Sequence, residues 1–274
     1  MEYYRLLGLQ REPFSNSPDP FFLYRSRMYD ECLNWLEISL RLRRGLNVVL
    51  GDVGTGKTTV SRALLQGFGK EGERFLFHIV MDPVFDSQVE FMKYLAKAFD
   101  VEEGCSSISD YRNALESFLF RKGVEENRVV VLIIDEAQKL SADILEILRI
   151  LLNYETNEYK LLQLILFGQM ELLPKLKKLR NFMDRISFFY KLRPLNEKET
   201  KEMIRYRLQK AGLPRDRELF TEDALSFIYS LTGGYPRRIT MLCHEALITM
   251  LVKGARIVDD DIVGMVVEKR KDLI

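Results

Sequence analysis

One short run of this sequence has the spacing of a phosphate-binding loop. Residues 51–58 read GDVGTGKT and match the pattern GxxxxGK[ST] at every fixed position. Glycines at these intervals (Gly51, Gly54 and Gly56) can adopt backbone angles closed to other residues, so successive N–H groups can turn inward around phosphate oxygens. The lysine would reach the β and γ phosphates of a nucleotide, and the following hydroxyl would bind Mg²⁺. The expected contact residues are Gly51, Asp52, Val53, Gly54, Thr55, Gly56, Lys57, Thr58 and Thr59.

The neighbouring sequence favours the same interpretation. An apolar strand, residues 47–50, precedes the run, and a helical pattern begins near Lys57. A helix that starts at this point adds the partial positive charge of its N-terminus to the site. The run and its flanks together predict a site for a nucleoside triphosphate with magnesium, in which Lys57 binds phosphate and Thr58 binds the metal.

Two adjacent carboxylates end a second apolar run. Residues 129–134 read VVVLII, and Asp135 and Glu136 follow. Two acids at the end of a buried strand are costly unless their charge is used, although such a pair can also be a solvated strand end. Beside a phosphate loop, we expect Asp135 to hold the Mg²⁺ shell through a coordinated water and Glu136 to polarise the attacking water. Gln169 ends another apolar run and could hydrogen-bond the γ phosphate or that water.

Short apolar strands alternate with longer helical patterns over the first two thirds of the chain. The predicted strands are residues 46–50, 74–80, 129–134, 161–167 and 187–192. This alternation predicts crossover connections and a parallel sheet covered by helices on both faces. Beyond Pro194 only helical patterns follow. We therefore expect a five-stranded αβα domain at 46–193, an all-helical domain at 194–274, and an opening segment at 1–45 whose extended chain and helix pack on the αβα domain.

Composition excludes several classes of protein. Of the 274 residues, 47% are hydrophobic and 30% charged, which allows a large core beneath a solvated surface. Lys plus Arg (41) nearly balance Asp plus Glu (40), so net charge does not favour DNA or a membrane surface as partner. Three scattered cysteines argue against a disulfide framework or a zinc site. Neither a signal peptide nor a membrane-spanning run is expected, and the predicted location is the cytoplasm.

Together these motifs resemble those of the AAA+ ATPases, in which a five-stranded P-loop domain is followed by a helical lid. The resemblance rests on GDVGTGKTT, IIDEAQKL, LILFGQMEL and the late GGYPRRI. More narrowly, the chain is similar to the ATPase domain of the general secretion pathway protein A family, through its opening YYRLLGLQREPFSNSPDPFFLY, the DRI near 185 and the LRPL at 192–195. The same subgroup is similar to the Mu and TniB type transposition ATPases.

The resemblance implies roles for further residues. Arg237 in GGYPRR takes the position of the lid arginine called sensor 2, which contacts the nucleotide phosphates. Arg185 matches the arginine finger, which stabilises charge at the γ phosphate of a neighbouring subunit. Gln169 takes the sensor 1 position, and residues 12–24 are expected to form one wall of the adenine pocket. An exposed basic turn at Arg237 and a surface arginine at Arg185 are the plain alternatives.

One departure from the family pattern concerns the second strand. Family members often have Asn-Pro after it, where this chain has Asp82 and Pro83. In AAA+ proteins a polar side chain at that position can restrain the catalytic glutamate. An ionised Asp82 cannot donate a hydrogen bond to an ionised Glu136, so whether Asp82 acts as such a switch is left open.

Three functions follow from the resemblance. The first is an ATPase of the secretion type that couples binding and hydrolysis of ATP to homo-oligomerisation and to remodelling of an unidentified protein partner. Its expected location is the cytoplasm, or the cytoplasmic face of the inner membrane, where partners would hold it. The second is an ATP-dependent DNA-binding regulator of the transposition type. A basic run at 175–180 could touch a DNA backbone, although a solvated helix face is the more ordinary interpretation. The third is a scaffold stabilised by ATP with little turnover.

Overall fold

A five-stranded parallel sheet is the centre of one part of the molecule. The computed structural model describes residues 2–179 and 181–271, except for the side chains of residues 270 and 271; Arg180, the last residue of the basic run, and residues 272–274 of the expected helical domain lie outside it. The strands are β1 (Leu46–Leu50), β2 (Phe75–Val80), β3 (Val129–Ile134), β4 (Leu162–Gly168) and β5 (Ile186–Lys191), in the order β2-β3-β4-β1-β5. Every residue of β1, β3 and β4 is buried, as expected for strands covered on both faces.

The first helix, α1 (Tyr3–Leu6), lies near the start of the chain, and five further helices belong to the same part of the molecule as the sheet. They are α2 (Arg27–Arg41), α4 (Gln88–Ala98), α5 (Ile108–Phe120), α6 (Ala142–Leu151) and α7 (Leu172–Lys178). The start of α6 follows from Ser141, whose hydroxyl accepts a hydrogen bond from the N–H of Ile144. Apolar residues at helical spacing on α6 are buried in the core beneath the sheet.

The chain divides into two units, each described on its own. The sheet unit is Arg27–Asp52 with Val60–Leu192, and the helical unit is Met1–Ser26, Val53–Thr59 and Arg193–Ile274. The helix α3 (Lys57–Gly67) begins in the helical unit and continues in the sheet unit. The predicted fold class, an α/β P-loop fold with five parallel strands and a helical C-terminal region, is confirmed.

Four helices follow the last strand in the helical unit. They are α8 (Glu197–Lys210), α9 (Glu222–Thr232), α10 (Pro236–Val252) and α11 (Asp260–Lys271). Asn196 and Glu199 form a reciprocal capping box that fixes the start of α8. Within the described residues, no helix of either unit is long and apolar enough to cross a membrane.

The opening segment is divided between the two units. We expected residues 1–45 as one segment on the αβα domain, but residues up to Ser26 group with the C-terminal helices, and only the chain from Arg27 groups with the sheet. Backbone and side-chain bonds explain this arrangement: the N–H of Gln10 donates to the carbonyl of Ala211 at 2.7 Å, and Nε of Arg207 donates to the carbonyl of Pro13 at 2.7 Å. The Arg207 guanidinium also lies over the buried ring of Phe22.

Candidate functional site

The predicted phosphate loop connects β1 to α3, which begins at Lys57 as expected. Gly54 and Gly56 have φ of +83° and +88°, the left-handed region that glycine adopts without strain. Gly51, predicted to use the same freedom, does not; its N–H instead donates to the carbonyl of Gly168 on β4 at 3.1 Å. Two of the three glycines therefore shape the loop through their conformation, and the first anchors it to the sheet.

The C-terminal motif GGYPRR lies against this loop. Pro236 is the first residue of α10, and the N–H of Arg237 donates to the carbonyl of Gly54 at 3.2 Å. The first N–H groups of a helix have no partner within the helix, so the loop carbonyl satisfies one of them. A Cβ added at Gly54 would lie 3.1 Å from the Cβ of Arg237, which leaves little space for any other residue. The structure thus brings Arg237, in the first turn of α10, to the phosphate loop.

Gly234 fixes where α10 begins. Its φ is +76°, and a Cβ added there would lie 1.8 Å from the carbonyl oxygen of Leu195. The N–H of Leu195 in turn donates to the carbonyl of Gly234 at 2.9 Å. Only glycine fits at this position, and the LRPL and GGYPRR motifs are in contact because of it.

The chemical groups of the loop and of the acidic strand end are those that phosphate and Mg²⁺ need as ligands. Lys57 is 6% exposed and Thr55 is fully buried, whereas Thr58 is half-buried. An ammonium and inward-turning N–H groups suit phosphate oxygens. The Thr58 hydroxyl and the Asp135 carboxylate are the hard oxygen ligands that Mg²⁺ prefers.

The acidic pair ends β3 in a strained conformation. Asp135 is 2% exposed, and its N–H donates to the carbonyl of Val80 at 2.9 Å. Glu136 has φ of +52° and ψ of +36°, a left-handed conformation that costs a residue with a Cβ about 1–2 kcal/mol. Its N–H donates to Oδ1 of Asp135 at 2.9 Å. Strain of this kind persists only where the surroundings impose it.

Two amide side chains hold the carboxylate of Glu136. Nε2 of Gln138 donates to Oε2 of Glu136, and Nε2 of Gln169 lies 3.4 Å from the same oxygen. Oε1 of Gln138 accepts the backbone N–H of Gln169 at 3.0 Å. The structure therefore brings Glu136 and Gln169 together. Sequence reasoning assigned no role to Gln138, although it is the last residue of the quoted DEAQ.

Lys175 on α7 binds the backbone of the turn that contains Gln138. Its ammonium donates to the backbone carbonyls of Gln138 and Leu140, the latter at 3.1 Å. These carbonyls flank the end of the 3-10 turn Ala137–Lys139 that follows Glu136. The first lysine of the predicted basic run thus makes structural hydrogen bonds, and Lys175, Lys177 and Lys178 are all exposed.

Asp82 contacts a lysine and not Glu136. Its Oδ1 lies 2.9 Å from Nζ of Lys139, and both side chains are largely exposed. The hydrogen bond that Lys139 donates to Asp82, together with the negative charge of that carboxylate, raises the pKa of Lys139. Within the described residues, the side chains that hydrogen-bond Glu136 are Gln138 and Gln169. Asp82 is therefore not among the side chains that hold Glu136 in this structure.

Arg185 lies at the amino-terminal ends of the strands, opposite to the ends that carry Glu136 and Gln169. It ends the 3-10 turn before β5, and Ile186 pairs in register with Leu46, the first residue of β1. The phosphate loop leaves β1 after its last residue, Leu50, and β1 is roughly 13 Å long. Arg185 lines a cleft of about 200 Å³ together with Arg44, Lys160 and Asp184. Within the sheet unit, Arg185 thus lies at the opposite ends of the strands from Asp135, Glu136 and Gln169.

Comparisons with known proteins agree with what the motifs indicate. A family model described as AAA domain matches residues 40–176. The chain is 38% identical, over 266 residues, to General secretion pathway protein A of Aeromonas hydrophila; the match covers 95% of this chain and 47% of that protein. It is 22% identical to an uncharacterized HTH-type transcriptional regulator of Methanocaldococcus jannaschii, with 94% and 72% coverage. The chain thus spans about half the length of its secretion-pathway relative.

Solved structures share the fold at low sequence identity. Cdc6p from Pyrobaculum aerophilum has a TM-score of 0.69 at 19% identity, with 90% of this chain and 67% of that chain covered. The ORC2 protein of Aeropyrum pernix, in ADPNP–ADP complexes, has a TM-score of 0.67 at 17% identity, with 93% and 70% covered. The RuvB Holliday junction branch migration motor of Thermotoga maritima has a TM-score of 0.58 at 18% identity, with 90% and 72% covered.

Proposed function

Because this chain belongs to the AAA domain family and has the P-loop NTPase fold, we propose that it is an enzyme that binds ATP with Mg²⁺ and hydrolyses it. The observation that carries the proposal is the pair of amide donors on the Glu136 carboxylate, in a chain whose phosphate loop is complete. Carboxylates at a strand end are common. One that is held by two side chains, on a strained backbone, is suited to a defined chemical task.

Nucleotide binding is assigned to the loop and to the first turn of α10. Backbone N–H groups of residues 51–59 bind phosphate oxygens, and Lys57 reaches the β and γ phosphates. Arg237 contacts the phosphates as the lid arginine, and its place beside Gly54 supports that role. Residues 12–24 form one wall of the adenine pocket. The sequence favours no base other than adenine.

Hydrolysis is assigned to the carboxylates at the end of β3. Glu136 accepts a proton from the attacking water as that water approaches the γ phosphorus. Gln169 orients the same water or the γ phosphate, and its contact with Glu136 supports this role. Thr58 and Asp135 would hold Mg²⁺, Asp135 through a coordinated water. A bound magnesium ion would neutralise charge that develops on the phosphate oxygens.

Arg185 acts on the nucleotide of a second copy of this chain. Its place at the amino-terminal edge of the sheet, away from Glu136, supports action in trans. A guanidinium that reaches the γ phosphate of a neighbour stabilises transition-state charge. The active form in this proposal is therefore a homo-oligomer, whose subunit number is not specified by these residues.

We further propose that the nucleotide cycle drives remodelling of a protein partner in the manner of a secretion-pathway ATPase. The support is the similarity to the Aeromonas protein, which covers most of this chain. The cytoplasmic location stays a prediction. DNA as a partner and an ATP-stabilised scaffold are alternatives, and an ATP-dependent shift of DNA mobility by the purified chain would favour the former.

The test of nucleotide binding compares two lysine variants. Lys57→Ala removes the ammonium of the loop, whereas Lys70→Ala removes an exposed lysine from the 3-10 turn Gly69–Glu71. Titration calorimetry with ATP and Mg²⁺ should give heat for the wild type and for Lys70→Ala, and at least a hundredfold weaker binding for Lys57→Ala. Equal affinities for the two variants would contradict the assigned role of the loop.

A further inference from the structure

We infer that Gln138 is a positioning residue for ATP hydrolysis: its amide holds the Glu136 carboxylate and the strand end that bears Gln169 in one arrangement. The inference rests on the proposed function, because it assigns a role within the same reaction. Gln138 is 8% exposed and uses both ends of its amide, on two different strand ends.

The chemistry of the two partners fixes the orientation of this amide. A backbone N–H can only donate, and an ionised carboxylate can only accept. The oxygen of Gln138 must therefore face the N–H of Gln169, and its nitrogen must face Glu136. A rotated amide would oppose donor to donor and acceptor to acceptor. A single orientation is thus compatible with both contacts.

The contact selects one oxygen of the glutamate for catalysis. Both amide nitrogens, from Gln138 and Gln169, bind Oε2 of Glu136. Within the described residues, Oε1 accepts no hydrogen bond. Oε1 is therefore the oxygen that can accept a proton from water, and the two amides set the direction in which it points. A misplaced base of this kind costs on the order of a hundredfold in rate.

The backbone at Gln138 is held independently of its side chain. The ammonium of Lys175 binds the carbonyls of Gln138 and Leu140, and the 3-10 turn Ala137–Lys139 is closed by its own hydrogen bonds. A substitution of the Gln138 side chain should therefore leave the turn folded. This makes the role of the amide testable by mutation.

Gln138→Glu is the sharpest variant. Its carboxylate can still accept the N–H of Gln169, but it cannot donate to Glu136 while ionised and repels it. We expect kcat for ATP to fall about hundredfold and KM to change less than about threefold. When the new acid is protonated it becomes a donor again, so the ratio of variant to wild-type kcat should rise as the pH is lowered from 8 to 6. Gln138→Met should show the same fall without this recovery.

Gln163→Glu provides the matched control. Gln163 is also a buried glutamine of the sheet unit that uses both ends of its amide, on the N–H of Gly45 and the carbonyl of Lys160. It has no contact with Glu136. Its variant should lower the melting temperature and leave kcat of the folded protein within about threefold of the wild type.

Three outcomes would overturn the inference. If the wild type hydrolyses ATP and Gln138→Glu does so at a similar rate, Gln138 has only a structural role. The same holds if its kcat falls but does not recover at lower pH. If the wild type binds ATP without turnover, the proposed ATPase activity itself fails, and the role of Gln138 fails with it. Turnover by the wild type therefore distinguishes a failure of the proposed function from a failure of the inference about Gln138.

Discussion

Gly234 offers a prediction whose magnitude follows from the structure. It has φ of +76°, and a Cβ there would lie 1.8 Å from the carbonyl oxygen of Leu195. The adjacent Gly233 also has a positive φ, +59°, but the nearest atom to its added Cβ is 3.7 Å away, on the Tyr235 ring. Alanine at Gly233 therefore meets backbone strain alone, whereas alanine at Gly234 meets strain and an impossible contact with another backbone segment.

The two costs can be separated. A left-handed backbone costs an alanine about 1 kcal/mol or somewhat more. At Gly234 the chain must also move away from Leu195, which breaks the hydrogen bond between the N–H of Leu195 and the carbonyl of Gly234 and adds about 1 kcal/mol. With the loss of packing, we expect Gly234→Ala to cost about 3 kcal/mol, roughly 2 kcal/mol more than Gly233→Ala. Such a difference corresponds to roughly 4–8 °C in melting temperature.

Thermal unfolding of the two variants, followed by circular dichroism, measures this difference. Displacement of Gly234 should also shift the start of α10 and the N–H of Arg237 from Gly54, so Gly234→Ala should bind ATP more weakly than Gly233→Ala. Equal melting temperatures for the two variants would refute the reasoning, because it attributes the larger cost to the Leu195 contact alone.

The remaining predictions concern Arg185 and Asp82. Arg185→Ala should bind ATP within about twofold of the wild type and lose at least a hundredfold in turnover. Mixing it with Glu136→Gln should restore part of the activity, because one chain would supply the arginine finger and the other the base. Inactive mixtures would argue against action in trans. Asp82→Ala should leave turnover within about twofold, since Asp82 pairs with Lys139 and not with Glu136; a tenfold loss in phosphate release would contradict this assignment.

Much of the fold could be predicted because local patterns decide it. The apolar run 129–134, rich in β-branched residues, favours a strand covered on both faces, and its predicted ends are those of β3. The predicted strands 74–80, 161–167 and 187–192 differ from β2, β4 and β5 by one residue at their ends. Strand ends depend on pairing with a neighbour, which the sequence of one strand does not contain.

The position of the opening segment could not be predicted in the same way. Its prolines and aromatic residues indicated an extended chain, but not the surface that it covers. That choice depends on long-range contacts, such as the Arg207 guanidinium with the Pro13 carbonyl and the Phe22 ring. Arg207 is buried, and burial lowers its pKa to about 10. On the sequence alone it was one of many charged residues on a helix.

At the candidate site, residue types were predictable and their geometry was not. The match to GxxxxGK[ST] indicated the loop, and Asp135 and Glu136 were evident after a buried strand. The left-handed backbone of Glu136 is not indicated by its residue type. The contact of the Gln138 amide with Gln169 needs β3 and β4 side by side. The one sequence signal for Gln138 was its place in DEAQ, two residues after the predicted base.

The proposed ATPase activity is tested most directly by the release of phosphate from ATP by the wild type and by Glu136→Gln. The variant changes one atom of the carboxylate and removes the predicted base, while the phosphate loop is untouched. With Mg²⁺ and at a protein concentration that permits oligomers, we expect steady turnover by the wild type, at least a hundredfold slower turnover by Glu136→Gln, and similar ATP affinity for both. Equal rates for the two proteins would contradict the central claim, as would a wild type that binds ATP and never hydrolyses it.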